Sequence, residues 1–213
     1  MITGTSSRRA FLKAAGLASA GVLVGFAIPA DGARAEATIA DAAGADSIAT
    51  LASAALQELA STGNSSAFSA LRDQAAAETA VRLGLEPDQV ARSWAAADSE
   101  HQLAVLTGLT QVGVPYRRYM SKPGVGFDCS GLTSYAWSGA GYALTHQSTA
   151  QIRAASPRTF ETAQPGDLVQ YPGHIMMWLG TERAVLQSPR PGKRVEIVSF
   201  KYGRTVKVGD PTG

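Results

Sequence analysis

The chain has 213 residues, 45% of them hydrophobic and 17% charged, with 22 Gly and 10 Pro, the composition of an ordinary globular protein. That excludes general disorder, and a formal net charge of +2 is too small to argue for nucleic acid or a polybasic membrane anchor. The single cysteine excludes any intrachain disulfide.

The first 35 residues read as an address. Ser7-Arg8-Arg9-Ala10-Phe11-Leu12-Lys13 precedes an uncharged stretch from Ala14 to Ile28, then Pro29, then Ala33-Arg34-Ala35. A charged start, an apolar middle and a small-residue cleavage pattern make a signal peptide. The paired arginines are similar to a bacterial twin-arginine signal. The apolar stretch has 15 residues, short of the roughly 20 that span a bilayer. The expected mature chain starts at Glu36, in an exported, oxidising setting and with no stable membrane span.

Residues 36–104 and 105–213 differ in character. The first holds 21 Ala and two aromatics and carries 3 basic against 10 acidic residues. The second holds 11 aromatics and 8 Pro, with 12 basic against 6 acidic residues. The first therefore reads as an Ala-rich helical segment, the second as a compact, turn-rich domain. Ile48, Leu51, Ala52, Ala55, Leu56 and Leu59 fall at helical spacing, and Phe68, Leu71 and Ala75 repeat it after a break over Ser61–Ser66. Pro87 opens a third helical stretch expected to run toward Gln111. The opposite charges suggest that the segment docks on the domain, as a regulatory element; a plain spacer is the alternative.

Further on, Gly113-Val114-Pro115-Tyr116 reads as a helix stop. Asp128 is a natural N-cap for a helix whose apolar face is Leu132, Tyr135 and Ala136. Cys129 then lies in the first helical turn, where free N–H groups and the macrodipole favour a thiolate. A cysteine nucleophile also needs an imidazole oriented by a third polar group. Of the three histidines, His101 reads as a surface residue of the acidic helices. His174 opens the strand His174–Leu179, which follows Leu168–Tyr171 across a Pro172-Gly173 turn; Arg183–Gln187 reads as the next strand. A two-residue loop at Gly180-Thr181 sets His174 opposite Gln187, whose amide oxygen can then fix the imidazole tautomer; a three-residue loop sets Ser188 there instead. One Cys and three scattered His make no closed metal set, and no cofactor is implied.

These residues resemble the NlpC family of bacterial cell-wall cysteine peptidases. The resemblance rests on Gly113-Val114-Pro115-Tyr116, Gly126-Phe127-Asp128-Cys129-Ser130-Gly131-Leu132, Gln164-Pro165-Gly166-Asp167-Leu168-Val169, His174 with Trp178-Leu179-Gly180, and Leu186-Gln187-Ser188-Pro189-Arg190-Pro191-Gly192. It implies a minimal papain-like α+β fold, in which the helix bearing the cysteine packs on an antiparallel sheet. It makes Cys129 the nucleophile, His174 the base and then acid, Gln187 the third member and Tyr116 a neighbour of the thiol. Asp128 and Ser130 are implied to hold the substrate's amino terminus, and His146, Ser148 and Gln151 fall in a further motif near the cleft. His146 stands where an Arg often sits, and Arg117-Arg118 stand where Gly is common, so a bulkier and more basic cleft wall is expected. The implied activity is hydrolysis of the γ-D-glutamyl to diaminopimelate (or lysine) bond in peptidoglycan stem peptides. Alternatives are a muramoyl-L-alanine amidase or acyl transferase of the same fold, or a non-catalytic wall-binding module.

Overall fold

The computed structural model describes residues 45–200 and 205–213; the expected export signal over residues 1–35 lies outside them. Helix α1 (Ser47–Thr62) starts where the Asp46 carboxylate accepts from Ile48 N, and α2 (Ser66–Leu83) where Ser65 Oγ accepts from Phe68 N. These are the side-chain caps that free N-terminal N–H groups require. Gly84, in the left-handed conformation, closes α2.

The single helix expected from Pro87 is two, α3 (Pro87–Ala96) and α4 (Ser99–Leu109). Ala97 and Asp98 between them are extended. The break is held from far along the chain: Gln164 accepts from Asp98 N and donates to its carboxylate. The boundary expected at residue 104 therefore falls inside α4.

Two short strands, β1 (Ser121–Lys122) and β2 (Gly126–Phe127), pair and lead into α5 (Cys129–Gly139). Helix α6 (Ser148–Ala154) follows. The remaining strands are β3 (Ser156–Arg158), β4 (Leu168–Tyr171), β5 (His174–Trp178), β6 (Ala184–Gln187), β7 (Glu196–Ser199) and β8 (Lys207–Asp210). They form one antiparallel sheet in the order β3-β8-β4-β5-β6-β7. The β4–β5 hairpin turns through Pro172-Gly173, as expected, with Gly173 at φ 86°.

The two faces of the sheet differ. Ile175, Met177, Ala184 and Leu186 pack toward the helices, sharing one core with Ile48, Phe68, Trp94, Leu106 and Trp137. Val169, Met176, Trp178 and Val185 pack on the other face, beneath Phe160 and Phe200. Helix α4 comes so close that a Cβ on Gly108 would stand 2.7 Å from Leu186 Cδ2. Helix α3 is tied to the sheet by Trp94 Nε1 donating to Leu179 O at 2.9 Å and Ser93 Oγ donating to Gly180 O at 2.8 Å. The described Ala-rich helices and the sheet thus share a buried core. Among the described residues no helix is long and apolar enough to cross a membrane.

Candidate active site

Asp128 caps α5 as expected: its Oδ1 accepts from Gly131 N at 2.8 Å, and its Oδ2 from Tyr119 N at 2.8 Å. Cys129 is the first residue of that helix and is half-buried. The close approach at this turn needs a glycine, because a Cβ on Gly131 would fall 2.2 Å from Met120 O. Helix α5 packs against β5, and the Ile175 backbone N–H is close enough to the Cys129 thiol to favour its thiolate. The next residue back along that strand is His174.

The expected β5–β6 register is not the observed one. Met177 pairs with Leu186 and Trp178 with Val185, which by extension sets Gln187 opposite Met176. The loop is longer than two residues because Leu179 and Gly180 give their carbonyls to α3, and the chain turns only over Thr181–Ala184. His174 and Gln187 are then diagonal neighbours on one face, still within reach for long side chains. Gln187 Oε1 lies 2.8 Å from His174 Nε2, and Gln187 Nε2 donates to Glu196 Oε1 at 2.9 Å. The amide oxygen thus faces the ring, the proton sits on Nε2, and Nδ1 keeps its lone pair. Among the described residues no side-chain hydrogen bond joins Cys129 to His174; in free enzymes such contacts often close only around substrate.

The thiol differs from expectation. Burial pushes the Cys129 pKa up, and Asp128 adds to this; the N–H groups of Ile175, Ser130 and Cys129 pull the other way without prevailing. The helix terminus acts as expected, but desolvation is the larger effect. Burial also lowers the His174 pKa, against the Gln187 hydrogen bond and the Glu196 charge. Both shifts favour the neutral thiol and the neutral imidazole over the ion pair.

The remaining expected site residues fall into two groups. Tyr116 lies near the thiol; burial raises its phenol pKa, and the Cys129 and Asp128 charges add to this while Arg118 opposes it. Ser130 Oγ donates to Asp128 Oδ1 at 3.3 Å, and His146 Nε2 is 2.7 Å from that same oxygen. His146 therefore covers the cap carboxylate. Arg117 folds over Gly126, with Nε donating to Val125 O. Ser148 opens α6. Gln151, expected among substrate-binding residues, is 3% exposed. Its amide donates to Ser130 O, Ser134 Oγ and Thr145 O and accepts from Thr133 Oγ1. That makes it a buried strut between α5 and α6.

His101, expected at the surface, is 0% exposed. Its Nε2 lies 3.1 Å from Asp167 Oδ1 and 3.5 Å from Asp210 Oδ1, and its ring stacks edge-on against Trp137. These three residues are the one convergence of potential metal donors among the described residues. Their separations are those of hydrogen bonds, and the carboxylates are shared with Gln164 N, Thr212 and Arg158. One contributor escaped the sequence reading: Glu196, whose only signal was its place just past the Pro-rich loop after Gln187; Ser188, the alternative partner for His174, instead donates its hydroxyl to Phe127 O at 2.7 Å.

A cysteine-bearing helix abutting an antiparallel sheet, with His174 and Gln187 on adjacent strands, defines a papain-like α+β domain. Residues 113–207, just under half of the chain, match the NlpC/P60 family model. The chain is 35% identical over 105 residues to a probable endopeptidase of Mycobacterium tuberculosis, covering 48% of this chain and 27% of that one. It is 33% identical over 102 residues to the murein DD-endopeptidase MepH of Escherichia coli, covering 43% and 37%. The chain thus spans well under half the length of both relatives. Among solved structures it is similar to RipD of Mycobacterium tuberculosis, a non-catalytic NlpC/p60 domain protein, with 25% identity, a TM-score of 0.45 and coverage of 53% and 98%.

Proposed function

We propose that the chain is an exported peptidoglycan hydrolase, a cysteine endopeptidase that cuts the γ-D-glutamyl to diaminopimelate (or lysine) bond of stem peptides through an acyl-enzyme. The observation that carries this reading is the seating of Cys129 at the start of α5, which packs against β5, with the His174 imidazole on that strand held at Nε2 by Gln187. That leaves Nδ1 as the base. As the sulphur attacks the amide carbonyl, the thiol proton passes to His174, and the Cys129 backbone N–H is positioned at a helix terminus to receive the oxyanion. His174 then protonates the leaving amine and takes a proton from the water that releases the acyl group. Starting from a neutral pair, proton transfer accompanies attack.

Asp128 and Ser130 are proposed to hold the peptide's amino terminus, with Tyr116 supporting the thiol and its oxyanion and His146 bearing on the Asp128 carboxylate. The twin-arginine signal is proposed to deliver the folded chain to the wall. Residues 45–104 are proposed as part of the fold rather than a spacer, since Ile48, Phe68 and Trp94 share the core of the sheet and α3 is hydrogen-bonded to Leu179 and Gly180. MepH is named for a different bond, between two D-residues, so an assay must read both. Digestion of purified peptidoglycan, with and without prior alkylation of Cys129, tests the proposal. Turnover should disappear on alkylation; hydrolysis that survives it contradicts a thiol nucleophile.

A further inference from the structure

A glutamine beside a working imidazole poses a physical problem. Its two amide ends are nearly equal in shape, so an unrestrained Gln flips between offering an acceptor and offering a donor, and each choice selects a different imidazole tautomer. Its neutral oxygen also does little to stabilise the imidazolium that forms when the thiol gives up its proton.

In this chain Glu196 resolves both. It stands directly opposite Gln187 in the β6–β7 ladder and accepts from Gln187 Nε2 at 2.9 Å, while Gln187 Oε1 lies 2.8 Å from His174 Nε2. An ionised carboxylate can only accept, so it holds the amide's NH2 end. The flipped amide would set two oxygens against each other and a donor against the ring proton. Among the described residues Glu196 makes no ion pair, and the nearby Arg194 is engaged by Gly113 O. Asp128 is the charge acting on the thiol, and Glu196 the charge acting on the ring.

We propose that Glu196 is a positioning residue of this site: acting through Gln187, it fixes the tautomer and orientation of His174 and places a negative charge one residue behind the imidazolium. The proposal rests on the cysteine-hydrolase reading of the site. In effect the chain divides between two side chains what a single carboxylate would do alone, with the amide as the contact and Glu196 as the charge.

The test uses the full chain and the variants Glu196→Ala, Glu196→Gln and Gln187→Glu/Glu196→Gln. Two readouts need no peptidoglycan: the nitrogen NMR shifts of the His174 ring, which report the tautomer, and the rate of Cys129 alkylation by iodoacetamide against pH. Stem-peptide kcat and KM are the third. Glu196→Ala should lose the predominance of the Nε2–H tautomer and lower kcat roughly tenfold, KM unchanged, as for removal of other supporting partners of a working histidine. Glu196→Gln, which can still accept from Gln187, should keep the tautomer while shifting the alkylation profile. The double variant should also hold the Nε2–H tautomer, because the carboxylate that Gln187→Glu places against the ring can only accept. The proposal is overturned if Glu196→Ala keeps the wild-type tautomer and alkylation profile and loses only thermal stability. The ring and alkylation readings decide the role of Glu196 whether or not the wild type cleaves the peptide.

Discussion

Replacing Trp94 tests whether the Ala-rich helices belong to the fold or merely precede it. Trp94 is 2% exposed within the shared core, and its Nε1 is hydrogen-bonded to Leu179 O at 2.9 Å. Trp94→Phe keeps most of the ring but leaves that carbonyl short of a donor, at a cost of about 1 to 3 kcal/mol. Trp94→Ala empties the site, and large-to-small changes of this kind cost about 3–5 kcal/mol. Against a typical domain stability of about 5–15 kcal/mol, the second loss is a large fraction of the whole. Urea unfolding followed by tryptophan fluorescence and by circular dichroism should show one coincident transition in wild type, shifted to lower urea in the order Trp94→Phe, then Trp94→Ala. A change under about 1 kcal/mol for Trp94→Ala, or separate transitions for helices and sheet, would refute the shared core and restore the spacer.

Three further outcomes follow from the site. Gly131→Ala should force Met120 and the β1–α5 connection apart, since the new Cβ meets a backbone oxygen at 2.2 Å; overpacking of this kind costs about 1–3 kcal/mol, and alkylation of Cys129 in the folded variant should change with it. Gln151→Leu strips the Gln151 hydrogen bonds, two of them fully buried, from the α5–α6 joint and should lower thermal stability by several degrees while leaving KM near wild type, whereas a rise in KM alone would return Gln151 to the substrate. The third concerns pH. Burial raises the Cys129 pKa in the fold, so its contribution to stability is complete below the unfolded thiol value of about 8.5 and is lost as pH climbs through the folded value. Burial lowers that of His174, so its contribution is present above about 6.5 and is lost as pH falls through the folded value. Urea midpoints against pH should therefore plateau between these limits, with Cys129→Ala removing the alkaline fall, and iodoacetamide should label the folded thiol more slowly at pH 8 than the urea-unfolded one.

What could be read from the sequence was what local chemistry decides. The Asp128 cap, the first-turn position of Cys129 and the Pro172-Gly173 hairpin each depend on a few adjacent residues, and each is found where its signal lies. The misreadings share a cause: a partner far along the chain. Gln164 splits the helix expected from Pro87, and α3 claims the carbonyls of Leu179 and Gly180, which shifts the β5–β6 register. His101 looks like a surface residue until Asp167 and Asp210 arrive beside it. The direction of the thiol pKa shift belongs with these, because a helix N-terminus is visible in sequence and desolvation is not. The contact between His174 and Gln187 survived the register error because a diagonal pair serves as well as a direct one.

The central claim is that Cys129 opens one particular amide. Its most direct test is mass spectrometry of a defined stem tetrapeptide, L-Ala-γ-D-Glu-diaminopimelate-D-Ala, after incubation with the purified chain and with Cys129→Ala. The account predicts L-Ala-γ-D-Glu and a diaminopimelate-D-Ala fragment from the wild type, with the peptide left whole by Cys129→Ala. Fragments of the same mass from Cys129→Ala, or an intact peptide with the wild type, would contradict it.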